Sequence, residues 1–290
     1  MRILVTGSTG FLGSEVVAEL VGRGHDVVGA ARRSERERHL TVDLLEPAAA
    51  ERLLQRVRPA AVVHLAAVAD IAPCKADPAA ARRLNAQVPG DIARGCAALG
   101  LRLLHVSTDQ VFDGSRGFWR EGDAPAPRHL YGETKLAGER AVLAACPSAI
   151  VLRPALATGR APPGRRSAST TLLDALQRGA RPRMFSDEIR SPIAAADVAR
   201  AVADLITWPG ERGDKVGAAP TGVLHCGGPE ALSRCELARR EAVEAGFDPS
   251  HITPATRAEA GMAAERPADL SLDSSRLFAL LRWRPRTLED

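Results

Sequence analysis

Arg2–Gly13 read Arg-Ile-Leu-Val-Thr-Gly-Ser-Thr-Gly-Phe-Leu-Gly, a short apolar run that leads directly into three glycines. The spacing Gly7-x-x-Gly10-x-x-Gly13, placed after a strand and before an apolar helical stretch, is typical of a dinucleotide-binding turn. Glycines let the backbone turn tightly and approach a pyrophosphate, and the following helix N-terminus offers N–H groups to phosphate. An ordinary strand–helix turn is the alternative interpretation, because a glycine triplet alone is a weak signal.

Short β-branched runs alternate with alanine-rich helical stretches through the first half of the chain. Near-continuous apolar strands that alternate with helices indicate a parallel sheet covered on both faces. We therefore predict an α/β fold, a Rossmann-type doubly wound parallel sheet with a smaller C-terminal substrate lobe. The predicted strands are Ile3–Thr6, Val27–Ala30, Ala61–Leu65, Leu103–Ser107 and Ala149–Leu152. The predicted helices are Leu12–Arg23, Ala48–Val57, Pro78–Ala98 and Gly132–Ala145.

The chain has 290 residues, 45% of them hydrophobic, which is enough for one large domain with a smaller lobe. We expect residues 1–153 to form the NAD(P)-binding Rossmann domain. Residues 154–290 are expected to form mainly the substrate-binding lobe, with parts near 190–227 returning to the Rossmann sheet. The later predicted elements are a strand at Val223–Cys226 and helices at Ser169–Arg178, Asp197–Ile206, Arg234–Ala245 and Ser274–Leu281.

The overall composition narrows the classes of function. There are 39 basic and 35 acidic residues, a formal charge of +4, and only 3% aromatic residues, so nothing supports nucleic-acid binding. No signal-peptide pattern and no run of 18 apolar residues is present, which predicts no membrane association. The five cysteines contain no Cys-x-x-Cys pair and the seven histidines show no paired spacing, so we expect no metal site. The sequence therefore predicts a soluble, cytoplasmic protein with reduced cysteines.

The residues after the second predicted strand bear on the choice of cofactor. Arg32, Arg33 and Ser34 stand where an NAD site places an acidic residue that binds the ribose 2′-hydroxyl. Arginine binds a phosphate bidentately, so the sequence favours NADPH, with NADH less favoured. The alternative is that this segment is a solvated charged loop.

Other short segments complete the expected cofactor site. Asp43 could accept a hydrogen bond from the adenine amino group, and the small residues after the strand at Ala61–Leu65 would let the backbone line the cofactor. The full set of expected cofactor-binding residues is Gly7, Thr9, Gly10, Phe11, Leu12, Gly13, Arg32, Arg33, Ser34, Asp43, Leu44, Leu65, Ala66, Ala67, Asn85, Ser107 and Lys135.

The chain contains one tyrosine, Tyr131, and three lysines, and Lys135 follows the tyrosine by four residues. Chance would produce this spacing in about one case in a hundred. On a helix the two side chains share a face, and a nearby ammonium favours the phenolate, which lowers the tyrosine pKa. Such a phenol can act as a general acid–base when a carbonyl becomes an alcohol. A packing tyrosine beside a surface lysine is the alternative.

Two further polar residues are candidates for this chemistry. Thr108 follows the strand at Leu103–Ser107, so its hydroxyl should emerge at the carboxyl end of the sheet and could hold a carbonyl oxygen. Asn85, the only asparagine, could order a water or a backbone group behind the lysine. A solvent-facing asparagine is the alternative.

These motifs together resemble the extended short-chain dehydrogenase/reductases. Ser-Thr-Asp-x-Val-Phe-Asp-Gly from Ser107 and Tyr-Gly-x-Thr-Lys-Leu-Ala-Gly-Glu from Tyr131 are similar to dTDP-4-dehydrorhamnose reductase and its relatives, among them the regulatory β subunit of methionine adenosyltransferase. The resemblance implies that Tyr131 is the proton donor, that Lys135 binds the nicotinamide ribose and that Thr108 completes a catalytic triad. The expected substrate-binding residues are Asp109, Gln110, Val111, Phe112, Arg190 and Arg266.

The substrate half departs from the family pattern. Gln110 stands where the family usually has tyrosine, and Arg153–Gly159 read Arg-Pro-Ala-Leu-Ala-Thr-Gly in place of a segment with tryptophan and tyrosine. The cofactor motif and the triad are intact, so the departures concern which ketone is reduced.

The sequence leaves several functions open. The first is an NADPH-dependent ketoreductase acting on the 4-keto group of a dTDP-4-keto-6-deoxy sugar or a related ketone in deoxysugar or secondary metabolism. The second is an epimerase or 4,6-dehydratase of the same fold, although Gln110 cannot serve as the acid that dehydratases carry there. The third is a non-catalytic NADP-binding regulatory subunit. A homodimer and a divalent ion at a subunit contact stay open.

Overall fold

The structure, a computed structural model, describes residues 1–34, 37–208 and 218–287. Its strands are β1 (Arg2–Thr6), β2 (Asp26–Ala31), β3 (His39–Thr41), β4 (Ala61–His64), β5 (Arg102–Val106), β6 (Ile150–Pro154), β7 (Ala157–Thr158), β8 (Arg183–Phe185), β9 (Ile189–Arg190), β10 (Ile193–Ala194), β11 (Gly222–Cys226), β12 (Leu232–Ser233) and β13 (Thr253–Ala255). Its helices are α1 (Phe11–Gly22), α2 (Ala49–Val57), α3 (Ile71–Ala76), α4 (Pro78–Arg82), α5 (Val88–Ala98), α6 (Leu130–Ala145), α7 (Ala168–Gln177), α8 (Ala195–Ile206), α9 (Arg234–Glu244) and α10 (Ser275–Leu281).

A seven-stranded sheet in the order β11-β6-β5-β4-β1-β2-β3 confirms the predicted fold class. The pairs β2–β3, β1–β2, β1–β4, β4–β5 and β5–β6 are all parallel. The chain runs outward from β1 through β2 and β3, and then returns to place β4 on the other side of β1. The turn after β1 therefore lies where the strand order reverses, which is where open α/β sheets bind ligands.

The strand and helix predictions agree with the structure to within a few residues, except at one long helix. Pro78–Ala98, predicted as continuous, is divided into α4, a π-helical turn at Arg83–Gln87 and α5. Pro89 at the start of α5 lacks the N–H that would bond to the carbonyl of Asn85, and its ring crowds that carbonyl. The wider π turn accommodates both effects.

The chain divides into two compact units. The first contains residues 1–108, 129–153 and 198–224, and the second contains residues 109–128, 154–197 and 225–290. The first unit holds the sheet and buries an apolar layer beneath α2 and α5 in which Leu53, Val62, Ile92 and Val151 are each at most 3% exposed. The domain division expected from the sequence, at residues 153 and 154, stays a prediction.

The second unit has short strand pairs instead of one large sheet. β8 pairs with β13 in parallel, and β9 pairs with β12 in antiparallel orientation. Leu172 and Leu176 of α7 pack with Ala238 and Ala242 of α9 to form its own apolar core.

Candidate active site

The glycine turn after β1 has a backbone that only glycine fits. Gly7 has φ +67°, and a Cβ there would stand 2.7 Å from the backbone nitrogen of Ala66. A Cβ on Gly13 would stand 2.1 Å from the carbonyl oxygen of Gly7. The turn therefore packs directly against the chain after β4 and against the start of α1, leaving the first turn of the helix close to the sheet.

The start of α1 offers polar groups that no side chain uses. Gly10 is the N-cap and supplies no side-chain hydrogen bond to the helix. The Oγ of Ser8 is buried and has no hydrogen-bond partner within the described ranges. Free N–H groups at a helix N-terminus, with the positive end of the helix dipole, suit a phosphate anion. These features fit the pyrophosphate of a dinucleotide, and the expected contacts of Thr9, Phe11 and Leu12 stay predictions.

The residues that follow β2 and β3 are those expected to bind the ribose 2′-phosphate and the adenine of the cofactor. Arg32 and Arg33 are exposed, and Ser34 accepts a hydrogen bond from Thr41 through its carbonyl at 3.4 Å. One carboxylate oxygen of Asp43 accepts the N–H of Leu45 at 2.9 Å, so part of its acceptor capacity closes a local turn. Leu44 is a core residue, only 7% exposed, so its predicted cofactor contact rests on its backbone.

The segment after β4 is anchored to β1. The N–H of Leu65 donates to the carbonyl of Thr6 at 3.2 Å, and the N–H of Ala66 lies 3.4 Å from its hydroxyl. Leu65 and Ala66 thus run beside the glycine turn, and the cofactor contacts expected of Leu65, Ala66 and Ala67 stay predictions.

Asn85 is fully buried, which rules out the solvent-facing alternative. Its amide binds the backbone of Val68 twice, accepting from the N–H at 2.8 Å and donating to the carbonyl at 3.1 Å. It also donates to the hydroxyl of Thr134 on α6 at 3.1 Å. Gly138 of α6 lies against the backbone of Asn85, where a Cβ would stand 2.2 Å from the carbonyl oxygen. Asn85 therefore ties the segment after β4 to α6, and its assignment as a cofactor contact stays a prediction.

Tyr131 and Lys135 lie one turn apart on α6, and they are 8% and 2% exposed. His129 caps the helix by accepting the N–H of Gly132 at 3.1 Å, and its ring stacks on that of Tyr131 at 6.2 Å. Cys74 packs in the same apolar cluster as the tyrosine. The phenol is thus held between the helix cap and the α3 segment.

Lys135 is a buried cation, which excludes the surface-lysine alternative. Its Nζ donates to the carbonyl of Val106 at 2.7 Å and lies 3.4 Å from Nε2 of His105. Burial lowers the pKa of Lys135 to about 8, and the charge of Glu139 opposes this effect. The lysine therefore meets the last residues of β5, immediately before Ser107 and Thr108.

An ion pair that the sequence analysis did not assign holds this end of β5 against α6. Arg153 of β6 binds Glu139 of α6 bidentately, with nitrogen–oxygen distances of 2.9 and 2.6 Å and both side chains at most 4% exposed. The hydroxyl of Ser107 donates to the same carboxylate. Thr108 follows at 6% exposure. The spacing of Glu139, four residues after Lys135, places it on the same helix face, but it gives no signal for its pairing with Arg153 on β6.

The predicted substrate residues lie in the second unit, and two of them are packing groups. Val111 and Phe112 are fully buried, and Phe112 stacks on Trp119 at 4.6 Å and meets His225 edge-on. Their burial argues against substrate contacts through these side chains. Asp109 and Gln110 form a 3₁₀ turn with Val111.

Arg190 and Arg266, also predicted to bind substrate, surround the carboxylate of Glu188. Nitrogen–oxygen distances are 3.1 Å from Arg190 and 2.9 Å from Arg266, and Asp109 lies 3.8 Å from Arg190. Burial alone would raise the pKa of Glu188, but the hydrogen bond from Arg266 and the charges of Arg190, Arg266 and Arg234 hold it below its ordinary value. Glu188 and Asp109 thus balance the charges of Arg190 and Arg266, and the substrate contacts expected of the two arginines stay predictions.

The model of the RmlD substrate binding domain family matches residues 1–290. The chain belongs to this family. It is 35% identical over 291 residues to a dTDP-4-dehydrorhamnose reductase of Mycobacterium tuberculosis, covering 98% of this chain and 88% of that protein. It is 34% identical over 280 residues to methionine adenosyltransferase 2 subunit beta of Danio rerio, covering 96% of this chain and 84% of that protein.

The fold is also that of a solved family structure. A crystal structure of dTDP-4-dehydrorhamnose reductase from Bacillus anthracis in complex with NADP superimposes with a TM-score of 0.86 at 23% identity, covering 99% of this chain and 95% of that one. In the described part of the chain, no helix is both long and apolar enough to cross a membrane. Over the same residues, no three His, Cys, Asp or Glu side chains are grouped as a metal site requires.

Proposed function

We propose that the protein is an NADPH-dependent ketoreductase that reduces the 4-keto group of a dTDP-4-keto-6-deoxy sugar or a related ketone. The observation that carries the proposal is the buried Lys135, one helical turn after Tyr131 and fixed at the end of β5. A buried ammonium one helical turn from a phenol favours the phenolate, which suits a phenol used as an acid.

The residues of the first unit fit the dinucleotide. The glycine turn, the uncapped start of α1 and the buried hydroxyl of Ser8 suit its pyrophosphate. Exposed Arg32 and Arg33 suit a 2′-phosphate, which favours NADPH over NADH. When bound, NADPH supplies the hydride that reduces the carbonyl carbon. The same fold holds NADP in the Bacillus anthracis reductase.

The protein's own groups manage the proton. Tyr131 donates its hydroxyl proton to the carbonyl oxygen as that oxygen gains negative charge. Lys135 supplies a fixed positive charge that favours the phenolate left behind. Thr108 holds the same oxygen through its hydroxyl. Each of these roles uses a group that is largely buried, where electrostatic interactions are stronger than in water.

The substrate class is proposed from the relatives. The Mycobacterium tuberculosis relative is named for a nucleotide-linked keto sugar. Gln110 disfavours a dehydratase because an amide cannot transfer the proton as a carboxylic acid would. We also propose a cytoplasmic location, because the five cysteines are buried free thiols.

A second candidate function is a regulatory subunit that binds NADP without turnover, since the Danio rerio relative is a subunit of another enzyme. Oxidation of NADPH with a panel of 4-keto-6-deoxy nucleotide sugars, measured beside NADPH binding by calorimetry, separates the two. Turnover with any ketone of the panel supports the reductase. Tight NADPH binding without turnover across the panel supports the regulatory subunit.

A further inference from the structure

Three central strands place polar side chains side by side inside the sheet. Thr6 of β1 is the register partner of His64 on β4, which is the partner of His105 on β5. All three are fully buried. The hydroxyl of Thr6 lies 2.6 Å from Nδ1 of His64, and the two imidazole rings stack at 5.3 Å with planes 23° apart. We call Thr6, His64 and His105 the histidine row.

The histidine row ends at the ammonium of Lys135. Nε2 of His105 lies 3.4 Å from Nζ of the lysine, which also donates to the carbonyl of Val106 at 2.7 Å. An ammonium carries only donors, so Nε2 must be the acceptor and Nδ1 of His105 must carry the hydrogen. The row therefore supplies one of the two acceptors that hold the lysine in this position.

We propose that His105 is a positioning residue for Lys135, whose ring nitrogen holds the buried ammonium at the end of β5 and whose ring is itself kept in place by the stacked ring of His64. The inference rests on the proposed function only in taking Lys135 as part of the site.

The charges around the row keep both imidazoles neutral. Burial, with the charge of Lys135, lowers the pKa of His64 to about 3. Burial, then the charges of Lys135 and His64, lower the pKa of His105 well below its ordinary value. A protonated imidazole could not accept from the lysine and would repel it. The lowered pKa of His105 therefore favours the neutral ring that can accept from the ammonium.

The remaining groups that face Lys135 cannot replace this acceptor. Glu139 raises the pKa of Lys135 through its charge, but its carboxylate is taken up by Arg153 and Ser107. Tyr131 lies on the same helix, four residues before the lysine. Without His105, the carbonyl of Val106 would be the acceptor left to the ammonium in this buried site. The charged form of Lys135 would then become less favourable.

The row is costly to maintain, which argues against a packing role alone. Nε2 of His64 and Nδ1 of His105 are buried and have no hydrogen-bond partner among the residues that the structure describes. A buried polar atom without a partner costs stability, and an aliphatic side chain at either strand position would avoid that cost. The ring nitrogen of His105 that faces Lys135 gives this histidine a role that an aliphatic side chain could not fill.

The test measures the ionisation of Lys135 directly. The chain has only three lysines, so NMR of protein labelled at lysine Cε would give three signals, with Lys135→Met identifying the one of interest. Lys75 is exposed and serves as an internal reference signal. We compare the wild type with His105→Leu, which removes the acceptor, and with His105→Gln, which keeps an oxygen acceptor.

We expect the protonation constant of Lys135 to fall about tenfold in His105→Leu, the effect of one lost hydrogen bond to a charged group, and to recover in His105→Gln. An unchanged constant in His105→Leu, or an equal fall in both variants, would overturn the proposal. If His105→Leu does not fold, ¹⁵N spectra of the wild-type histidines decide. Hydrogen on Nδ1 of His105 at neutral pH supports the proposal, and hydrogen on Nε2 refutes it. Neither measurement uses a substrate, so failure of the reductase assay leaves the result intact.

Discussion

Tyr131 is the residue on which the proposed reaction depends most, because its hydroxyl is the proton donor. Tyr131→Phe keeps the ring that packs beside Cys74 and His129 and removes only the proton donor. Stability and NADPH binding should change little, while turnover should fall by about 10²–10⁴-fold, as is typical for a lost general acid. Single-turnover reduction of the accepted ketone measures this.

Substitutions at Thr108 and Lys135 provide comparisons for Tyr131→Phe. Thr108→Val should be milder, because it removes one hydrogen bond to the substrate oxygen. Lys135→Met should also weaken cofactor binding, because it removes a ribose contact as well as the charge beside the phenol. A phenylalanine variant that reduces the ketone at the native rate would show that the Tyr131/Lys135 pair is structural.

Cofactor choice is also decided by individual residues. Replacing Arg32 and Arg33 with alanine should raise the Kd for NADPH by about 10- to 100-fold while leaving NADH binding nearly unchanged, because only NADPH carries the 2′-phosphate. Calorimetric titration with both cofactors measures the two values. Arg56→Ala, at an exposed arginine on α2, is the matched control for lost surface charge. Equal losses of NADPH and NADH affinity would contradict the assignment.

At the scale of elements, periodicity predicted the longer strands and helices because each follows from local pattern, whereas β3, α3 and the short strands of the second unit were not predicted. The break in Pro78–Ala98 has a local cause in Pro89, but its form as a π turn depends on where the carbonyl of Asn85 can go, and Gly138 of another helix provides that space. The ion pair of Glu139 with Arg153 was missed because it joins α6 to β6 across the fold. Spacing along one helix showed Tyr131 and Lys135, but pairing between elements needs the tertiary structure.

That ion pair gives a prediction for how α6 is attached to the sheet. Glu139→Gln leaves the buried guanidinium of Arg153 without its counter-charge, which should reduce the free energy of unfolding by about 3–5 kcal/mol. Glu133→Gln changes an exposed carboxylate on the same helix and should have almost no effect. Urea denaturation of both variants makes the comparison. Similar stability in the two would mean that the pair contributes little to holding α6.

At the scale of the whole molecule, the buried histidines should make folding sensitive to acid. The pKa of His64 is lowered to about 3, so it binds no proton in the folded state at pH 5–6, and the pKa of His105 also lies well below its ordinary value of 6.5, which disfavours a proton there. In the unfolded chain both bind one in that range. Stability should therefore be complete above pH 6.5 and should fall as the pH decreases through 6 and 5, by about 1.4 kcal/mol per pH unit for each proton taken up.

Urea unfolding of the wild type and of His64→Asn between pH 4.5 and 7.5 isolates this contribution from that of the carboxylates. Asparagine can still bond to the hydroxyl of Thr6, which lies 2.6 Å from the histidine ring, but it takes up no proton on unfolding. The free energy of unfolding of the variant should therefore fall less steeply as the pH decreases. The two slopes should differ by about 1.4 kcal/mol per pH unit, which corresponds to one proton. Parallel curves for the wild type and His64→Asn would mean that His64 accepts a proton in the folded protein, and the neutral histidine row would then be wrong.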